Sequence, residues 1–210
     1  MKKQGTLVVV SGFAGTGKGT VMKELLSRYD SYALSISATT RNPRPGEVDG
    51  REYFFKTKEE FEEMIEKDEF VEFACYVGNY YGTPKKYVQE QLAEGKDVIL
   101  EIEIQGALNI KSQFPDALLL FIAPPSADVL KQRLVGRGTE TEEVIEQRLA
   151  RAVEESKGIE NYDYLVVNDE LDECVENVHQ MIQSAGWKMS RRAADVEDLR
   201  TQISAFAKGE

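Results

Sequence analysis

The stretch TLVVVSGFAGTGKGT, residues 6–20, constrains this chain more than any other. Residues 6–11 form a β-branched run of the kind that fills a parallel strand buried on both faces. A glycine-rich turn follows at once, and apolar residues then recur at helical spacing over 18–29. Within the turn, Gly12, Phe13, Ala14, Gly15, Thr16, Gly17 and Lys18 have the Walker A spacing in the strand-to-helix context that this motif requires. Such a loop wraps an anion with successive backbone N–H groups at a helix N-terminus, while Lys18 brings a positive charge to the β and γ oxygens of a nucleoside triphosphate. The alternative, a tight turn followed by an ordinary exposed lysine, is disfavoured by the flanks. The residue after Lys18 is Gly19, where GTPases and most ATPases carry the hydroxyl that ligates Mg²⁺; Thr20 comes one position later, which argues against a switch-type GTPase.

Three further apolar runs, at 97–103 (DVILEIE), 117–122 (ALLLFI) and 164–168 (YLVVN), alternate with segments of helical periodicity. That alternation predicts an α/β fold with a mostly parallel central sheet flanked by helices. Between 35 and 86, Pro43, Pro45, Gly46, Gly50, Gly78 and Gly82 punctuate short aromatic strands (53–55 and 70–77) around one helix at 58–67. This reads as an inserted antiparallel piece. From 126 a helix runs to about 135, Gly136 and Gly138 flank Arg137, and a second helix runs from 142 toward 156, the outline of a mobile flap. Asp169 or Asp172 can cap a last core helix through 184, and 187–206 suggests one more helix. The expected division is a core of 1–34, 87–130 and 157–210, an insertion of 35–86 and a lid of 131–156.

A chain of 210 residues with 41% hydrophobic and 30% charged side chains makes one large domain with insertions and excludes wholesale disorder. Lys and Arg number 26 against 37 Asp and Glu, a net charge of −11 that would repel a polyanion and argues against a general nucleic-acid partner. A small anionic ligand needs only a local basic pocket. Cys75 and Cys174 lie far apart and His179 is the single histidine, which offers neither a disulfide framework nor a zinc site and suits a reducing compartment. The apolar start at 7–10 is too short for a secretory or membrane segment, so a cytoplasmic protein without a membrane partner is expected. A monomer or a homo-oligomer is expected.

In SATTRNPRPGEVDGREY, Arg41 and Arg44 stand three residues apart around a proline turn ahead of Tyr53, an arrangement able to clamp a phosphate through charge-assisted, forked hydrogen bonds. Taken alone, two loop arginines are an ordinary solvated surface. In combination, SATTRNPRPGEVDGREYFF, FVEFACYVGNYYGTP, EIEIQGA, FIAPPS and RGTETEE, in this order and spacing, resemble the guanylate kinase family from about residue 6 to 171. The Gly-Lys-Gly-Thr of the phosphate loop is likewise similar to nucleoside-monophosphate kinases. The resemblance implies a P-loop kinase fold with a GMP-binding subdomain and a helical lid. It also implies phosphoryl transfer from MgATP to GMP, and to dGMP, giving ADP and GDP. Arg41, Arg44, Tyr53 and Tyr81 then resemble the GMP phosphate clamp, and Ser37, Glu72 and Thr83 the guanine readers. The chemistry agrees, since guanine presents N1–H and a 2-amino group that one carboxylate can accept together, whereas adenine would leave Glu72 unpaired.

Glu101 and Glu103, two apart on the expected strand, would face one side of the sheet at its C-terminal edge, where α/β sites form. They stand where the family often has aspartates, near Mg²⁺-bound water and the guanine 2-amino group. Mg²⁺ would be held through ATP phosphates and water, with Thr20 and Glu101 as supporting groups. Arg133, Arg137 and Arg148 resemble the lid arginines that close on the transferring phosphoryl group. Lys18, Arg41, Arg137 and Arg148 are thus the expected catalytic set. Asn168 and Asp169 are similar to the adenine-side contact. Phe13 and Ala14 replace the family's Pro-Ser within a loop that binds through its backbone, so little functional loss is expected. Arg151 falls outside the family pattern and reads as a solvated helix charge. His179 reads as a surface or half-buried helix residue, and Cys75 and Cys174 as chemically idle. Two rivals follow: a monophosphate kinase of another base specificity, opposed by Glu72 and Ser37, and the peptide-binding guanylate-kinase-like domains of scaffold proteins, opposed by the intact phosphate loop and arginines.

Overall fold

The structure is a computed structural model that describes residues 5–76, 78–136 and 141–207. β1 (Leu7–Ser11) enters the phosphate loop, which opens into α1 (Lys18–Arg28), and the chain returns through the short β2 (Tyr32–Leu34). The insertion then supplies β3 (Ala38–Thr39), β4 (Phe54–Phe55), α2 (Lys58–Glu66), β5 (Phe70–Tyr76) and β6 (Asn79–Pro84). α3 (Lys85–Ala93) leads back to the core, where β7 (Asp97–Glu101), α4 (Ile104–Gln113) and β8 (Leu118–Ala123) follow. α5 (Ala127–Gly136) and α6 (Glu142–Ser156) precede β9 (Tyr164–Val167), α7 (Leu171–Ala185) and α8 (Ala193–Ala207).

Five strands form one parallel sheet in the order β2-β7-β1-β8-β9. Strand order reverses around β1, so the loop leaving β1 opens on the crevice at the carboxyl ends of the strands, where α/β proteins bind ligands. Every residue of β1 is buried, and the side chains divide by parity. Val8 and Val10 pack with Leu25 and Val178 on the α1 and α7 side, and Leu7 and Val9 with Val88 and Ile110 on the α3 and α4 side. Each such aliphatic side chain contributes about 1.5–3 kcal/mol on burial, enough to fix both the strand and its register.

The structure departs from sequence expectation at instructive places. β2, only three residues long, gave no periodicity to read; it exists because Tyr32 to Leu34 pair with Asp97 to Ile99 at the sheet edge. The apolar run at 97–103 is strand only to Glu101, because Glu103 takes the N-cap position of α4. Glu101 and Glu103 therefore do not share a strand face. The insertion is a mixed sheet, order β4-β3-β6-β5, in which β3 and β4 are parallel. The long connection over 40–53 permits this, since parallel neighbours need a crossover that a tight hairpin cannot supply. Neither Asp169 nor Asp172 caps α7: Glu170 holds the N-cap without a side-chain bond, and Asp172 pairs with Arg28. The helix expected over 187–206 begins only at Ala193, after a 3-10 turn at Met189–Arg192.

Candidate active site

The phosphate loop is held from three sides. A Cβ on Gly12 would lie 2.2 Å from the Ile122 carbonyl oxygen, so the loop can press onto β8 only because this residue is glycine. Gly17 caps α1 with a positive φ of 88°, and the Asn168 amide nitrogen lies 2.7 Å from where its Cβ would be. Asn168 is buried and donates to the Thr16 carbonyl at 2.7 Å, and the Arg133 guanidinium reaches the same oxygen at 3.4 Å. Asn168 thus braces the loop directly. Phe13 turns inward, edge-on to Phe121, and with Ala14 packs against Leu130 and Leu134 of α5. Of the two residues that differ from the family's Pro-Ser, Phe13 therefore anchors the loop, while Ala14 both packs on α5 and lines the cleft. Lys18 Nζ donates to the Gly12 and Phe13 carbonyls at 2.5 and 3.1 Å, which sets its ammonium across the loop mouth.

The insertion carries the residues expected on the acceptor side. Arg41 donates from Nη2 to Glu47 Oε1 at 2.9 Å and from Nη1 to the Asn42 carbonyl at 2.6 Å, with its guanidinium 5.3 Å from the Tyr53 ring centroid. Glu47 Oε2 accepts the Arg44 N–H at 2.7 Å, so one carboxylate sets both the first arginine and the turn that carries the second. The Arg41 hydrogen bond, with help from the Arg44 N–H, holds Glu47 below the ordinary carboxylate range. Tyr53 and Tyr81 meet edge to face at 6.0 Å. Arg44 is exposed at the turn, and Ser37 is half-buried, its carbonyl accepting the Phe54 N–H at 2.9 Å. Deeper in, the buried Thr83 hydroxyl donates to Glu72 Oε1 at 2.8 Å, while Glu72 Oε2 lies 3.3 Å from where a Cβ on Gly106 would be. Glu72 thus stands over the first turn of α4. Burial pushes its carboxyl above the ordinary range, partly offset by the Thr83 bond.

Glu101 lines the cleft beside the phosphate loop. Burial raises its pKa, and the Lys18 ammonium partly offsets that rise. The cleft, of about 310 Å³, is lined by Gly12, Ala14 and Lys18, by Glu101 and Glu103, and by Arg148, Arg151 and Glu155 of α6. Thr20 is exposed in the first turn of α1. Arg137 and Gly138 lie outside the described residues. Gly136 ends α5.

Arg151 is not a solvated helix charge: it pairs with Glu103 of the core and, at 2.9 Å, with Glu155 of its own helix. The signal was present in the sequence, because Arg148, Arg151 and Glu155 fall at i, i+3 and i+7 on one helical face. The adjacent face of α6, Ile145, Leu149 and Ala152, packs on α5 and turns the charged face to the cleft. Sequence reasoning also missed Glu47, an acid inside the proline turn three residues after Arg44. His179 is half-buried as expected and lies with Tyr32 and Tyr29, its Nδ1 2.6 Å from the Tyr32 hydroxyl. Cys75 and Cys174 are unbridged. Among the described residues no three acids, histidines or cysteines cluster as a metal cage, and no helix is long and apolar enough to cross a membrane.

A family model described as guanylate kinase matches residues 4–185. The chain is 55% identical over 198 residues to a guanylate kinase of Bacillus cereus, covering 94% of this chain and 97% of that protein. It is 51% identical over 192 residues to one of Streptococcus thermophilus, covering 91% and 92%. Among solved structures, it is similar to the crystal structure of guanylate kinase from Anaplasma phagocytophilum, with a TM-score of 0.73 and 30% identity over 91% of each chain.

Proposed function

We propose, from the premise that this chain belongs to the guanylate kinase family and transfers a phosphoryl group from ATP to GMP, that the transfer occurs in the cleft between Lys18 and Glu101. The observation that carries this reading is that Glu101 and the phosphate-loop Lys18 line one cleft together with Arg148 of α6.

ATP binds with its phosphates along the loop from Gly12 to Thr20, met by backbone N–H groups, the head of α1 and Lys18. Arg41, Arg44, Tyr53 and Tyr81 hold the GMP phosphate, and Glu72, with Ser37, Thr83 and Glu103, reads the base. Because the Thr83 hydroxyl fixes one oxygen of Glu72, the carboxylate meets guanine N1–H and the 2-amino group already oriented. An oxygen of the GMP phosphate attacks the γ-phosphorus and the bond to the β-bridging oxygen breaks, leaving ADP and GDP. The nucleophile is already anionic, so the protein needs no general base; it supplies position and compensating charge. Lys18, Arg133 and Arg148 provide that charge, and Arg137 is assigned the same work by its place in the motif.

Kinases of this family work with a divalent metal, and we assign Mg²⁺. A single buried carboxylate, Glu101, and the exposed hydroxyl of Thr20 fit an ion that keeps most of its water and is held chiefly by phosphates. When bound, the ion neutralises charge on the transferring phosphoryl group. The segments 35–86 and 131–156 close over the core when both nucleotides are bound, excluding water during transfer and reopening for release. Catalysis in the cytoplasm on GMP and dGMP completes the reading.

A coupled assay of ADP release with GMP, dGMP, AMP and UMP, with and without EDTA, tests the chemistry. Activity on AMP equal to that on GMP would remove the base-reading assignment. The motion is tested by comparing an unliganded structure with one bound to a bisubstrate analogue, and two superimposable cores, insertions and lids would refute closure.

A further inference from the structure

Helix α6 touches the core through a charged pair, Arg151 on Glu103. Glu103 stands at the N-cap position of α4, whose first turn also carries the wall against Glu72, so the pair lies beside the base pocket proposed above. Its side chain makes no capping bond to that helix, which leaves the carboxylate free of a structural duty there. On α6, Glu155 holds the Arg151 guanidinium from the other side at 2.9 Å, a brace that aims Arg151 across the cleft instead of along its own helix. Arg148 is one turn earlier on the same face, lining the cleft with Lys18.

We propose that Arg151 is a positioning residue: by engaging Glu103 it sets the approach of α6 to the core and thereby places Arg148 against the transferring phosphoryl group. The inference rests on the reading of Arg148 as a lid cation and of Glu103 as part of the acceptor pocket. It also ties the two substrates together, because Glu103 offers one oxygen to Arg151 and the other to the base. A base that orders Glu103 thus strengthens the contact that brings the lid arginine in.

The pair is partly exposed, with side-chain accessibilities of 40% for Arg151 and 58% for Glu103, so its effect is modest and must be read by coupling rather than by size. Arg151→Gln is expected to lower kcat about 2- to 5-fold, the ratio that an exposed ion pair's free energy corresponds to, with both KM values changed by less than about 2-fold. Arg151→Lys, which keeps a cation within reach of Glu103, recovers most of that loss. Glu103→Gln lowers kcat by the same factor, and the double variant is no slower than the slower single. A pair with only a structural role would shift the melting temperature and leave kcat alone. Unchanged kcat in Arg151→Gln, or losses that multiply in the double variant, would overturn the proposal. Arg148→Ala separates the two levels: its kcat must fall well below that of Arg151→Gln, and if it does not, the lid reading itself is wrong. An unchanged GMP KM in Glu103→Gln removes Glu103 from the acceptor pocket, and with it the link between the substrates.

Discussion

Replacing Glu72 by Gln isolates the base-reading step, because the change keeps the side chain's shape and alters only its charge and one hydrogen-bonding atom. The Thr83 hydroxyl donates to Oε1 at 2.8 Å, and in the variant the amide oxygen will take that bond since it is the group's sole good acceptor. The NH₂ then faces the pocket, where it meets the N–H donors of guanine. A hydrogen bond to a charged group is lost and donors are opposed, at a cost of about 1.5–3 kcal/mol, or roughly 10- to 150-fold in GMP affinity. Stability should move the other way. Burial raises the folded-state pKa of Glu72 above its unfolded value, so its stabilising contribution is present below the unfolded pKa and is lost as pH rises through the folded one. Above the folded-state pKa the native enzyme carries a buried charge that Gln removes, and there the variant should melt at the same temperature or higher. GMP and AMP titrations by calorimetry, with a thermal melt of each protein, decide the matter. An undiminished preference for GMP in a folded variant would show that Glu72 does not read the base.

Acidification should imitate that variant: KM for GMP should rise as pH falls through a value above the usual carboxylate range, and Glu72→Gln should flatten this step in the pH profile. Lys18→Ala should cost about 100- to 1,000-fold in kcat with the fold retained, as loss of one preorganised cation does; near-normal turnover would remove Lys18 from the chemistry. Arg41→Ala should weaken GMP binding by roughly 10- to 150-fold and leave ATP binding nearly unchanged, and equal losses for both ligands would argue against separate donor and acceptor sites. Leu134→Ala empties the fully buried support beneath Gly15 and Phe13, so urea unfolding should show a loss of about 2–5 kcal/mol, accompanied by weaker ATP binding.

The fold was legible where burial is two-sided and continuous. Val8, Val9 and Val10 are buried on both faces of β1, and an unbroken aliphatic run has no competing reading beside a glycine loop. Tyr32 to Leu34 escaped because a three-residue edge strand is defined by its partner, Asp97 to Ile99, and carries no period of its own. The boundary at Glu103 escaped for a related reason. An isoleucine between two glutamates reads as alternation, yet the backbone at Glu103 is extended both as a strand residue and as a helix N-cap (φ −79°, ψ 165°), so the local sequence does not choose between them.

Site residues divide along the same physical line. Lys18 could be named from the residues alone, because its motif is contiguous and its backbone geometry is dictated by glycine, whereas Arg41 and Glu72 taken alone read as surface charges and were named through the family resemblance. Glu47 and Arg151 were missed because each acts through a partner: Glu47 through Arg41 and the Arg44 N–H, Arg151 through Glu103, 48 residues away. A sequence displays the residue type of such a charge but not whether tertiary packing turns it toward a cleft. On α6 that orientation is decided by Ile145, Leu149 and Ala152, whose burial against α5 leaves the neighbouring stripe no direction but the phosphate loop. The apolar residues of α6, packed against α5, therefore determine which of its arginines line the cleft.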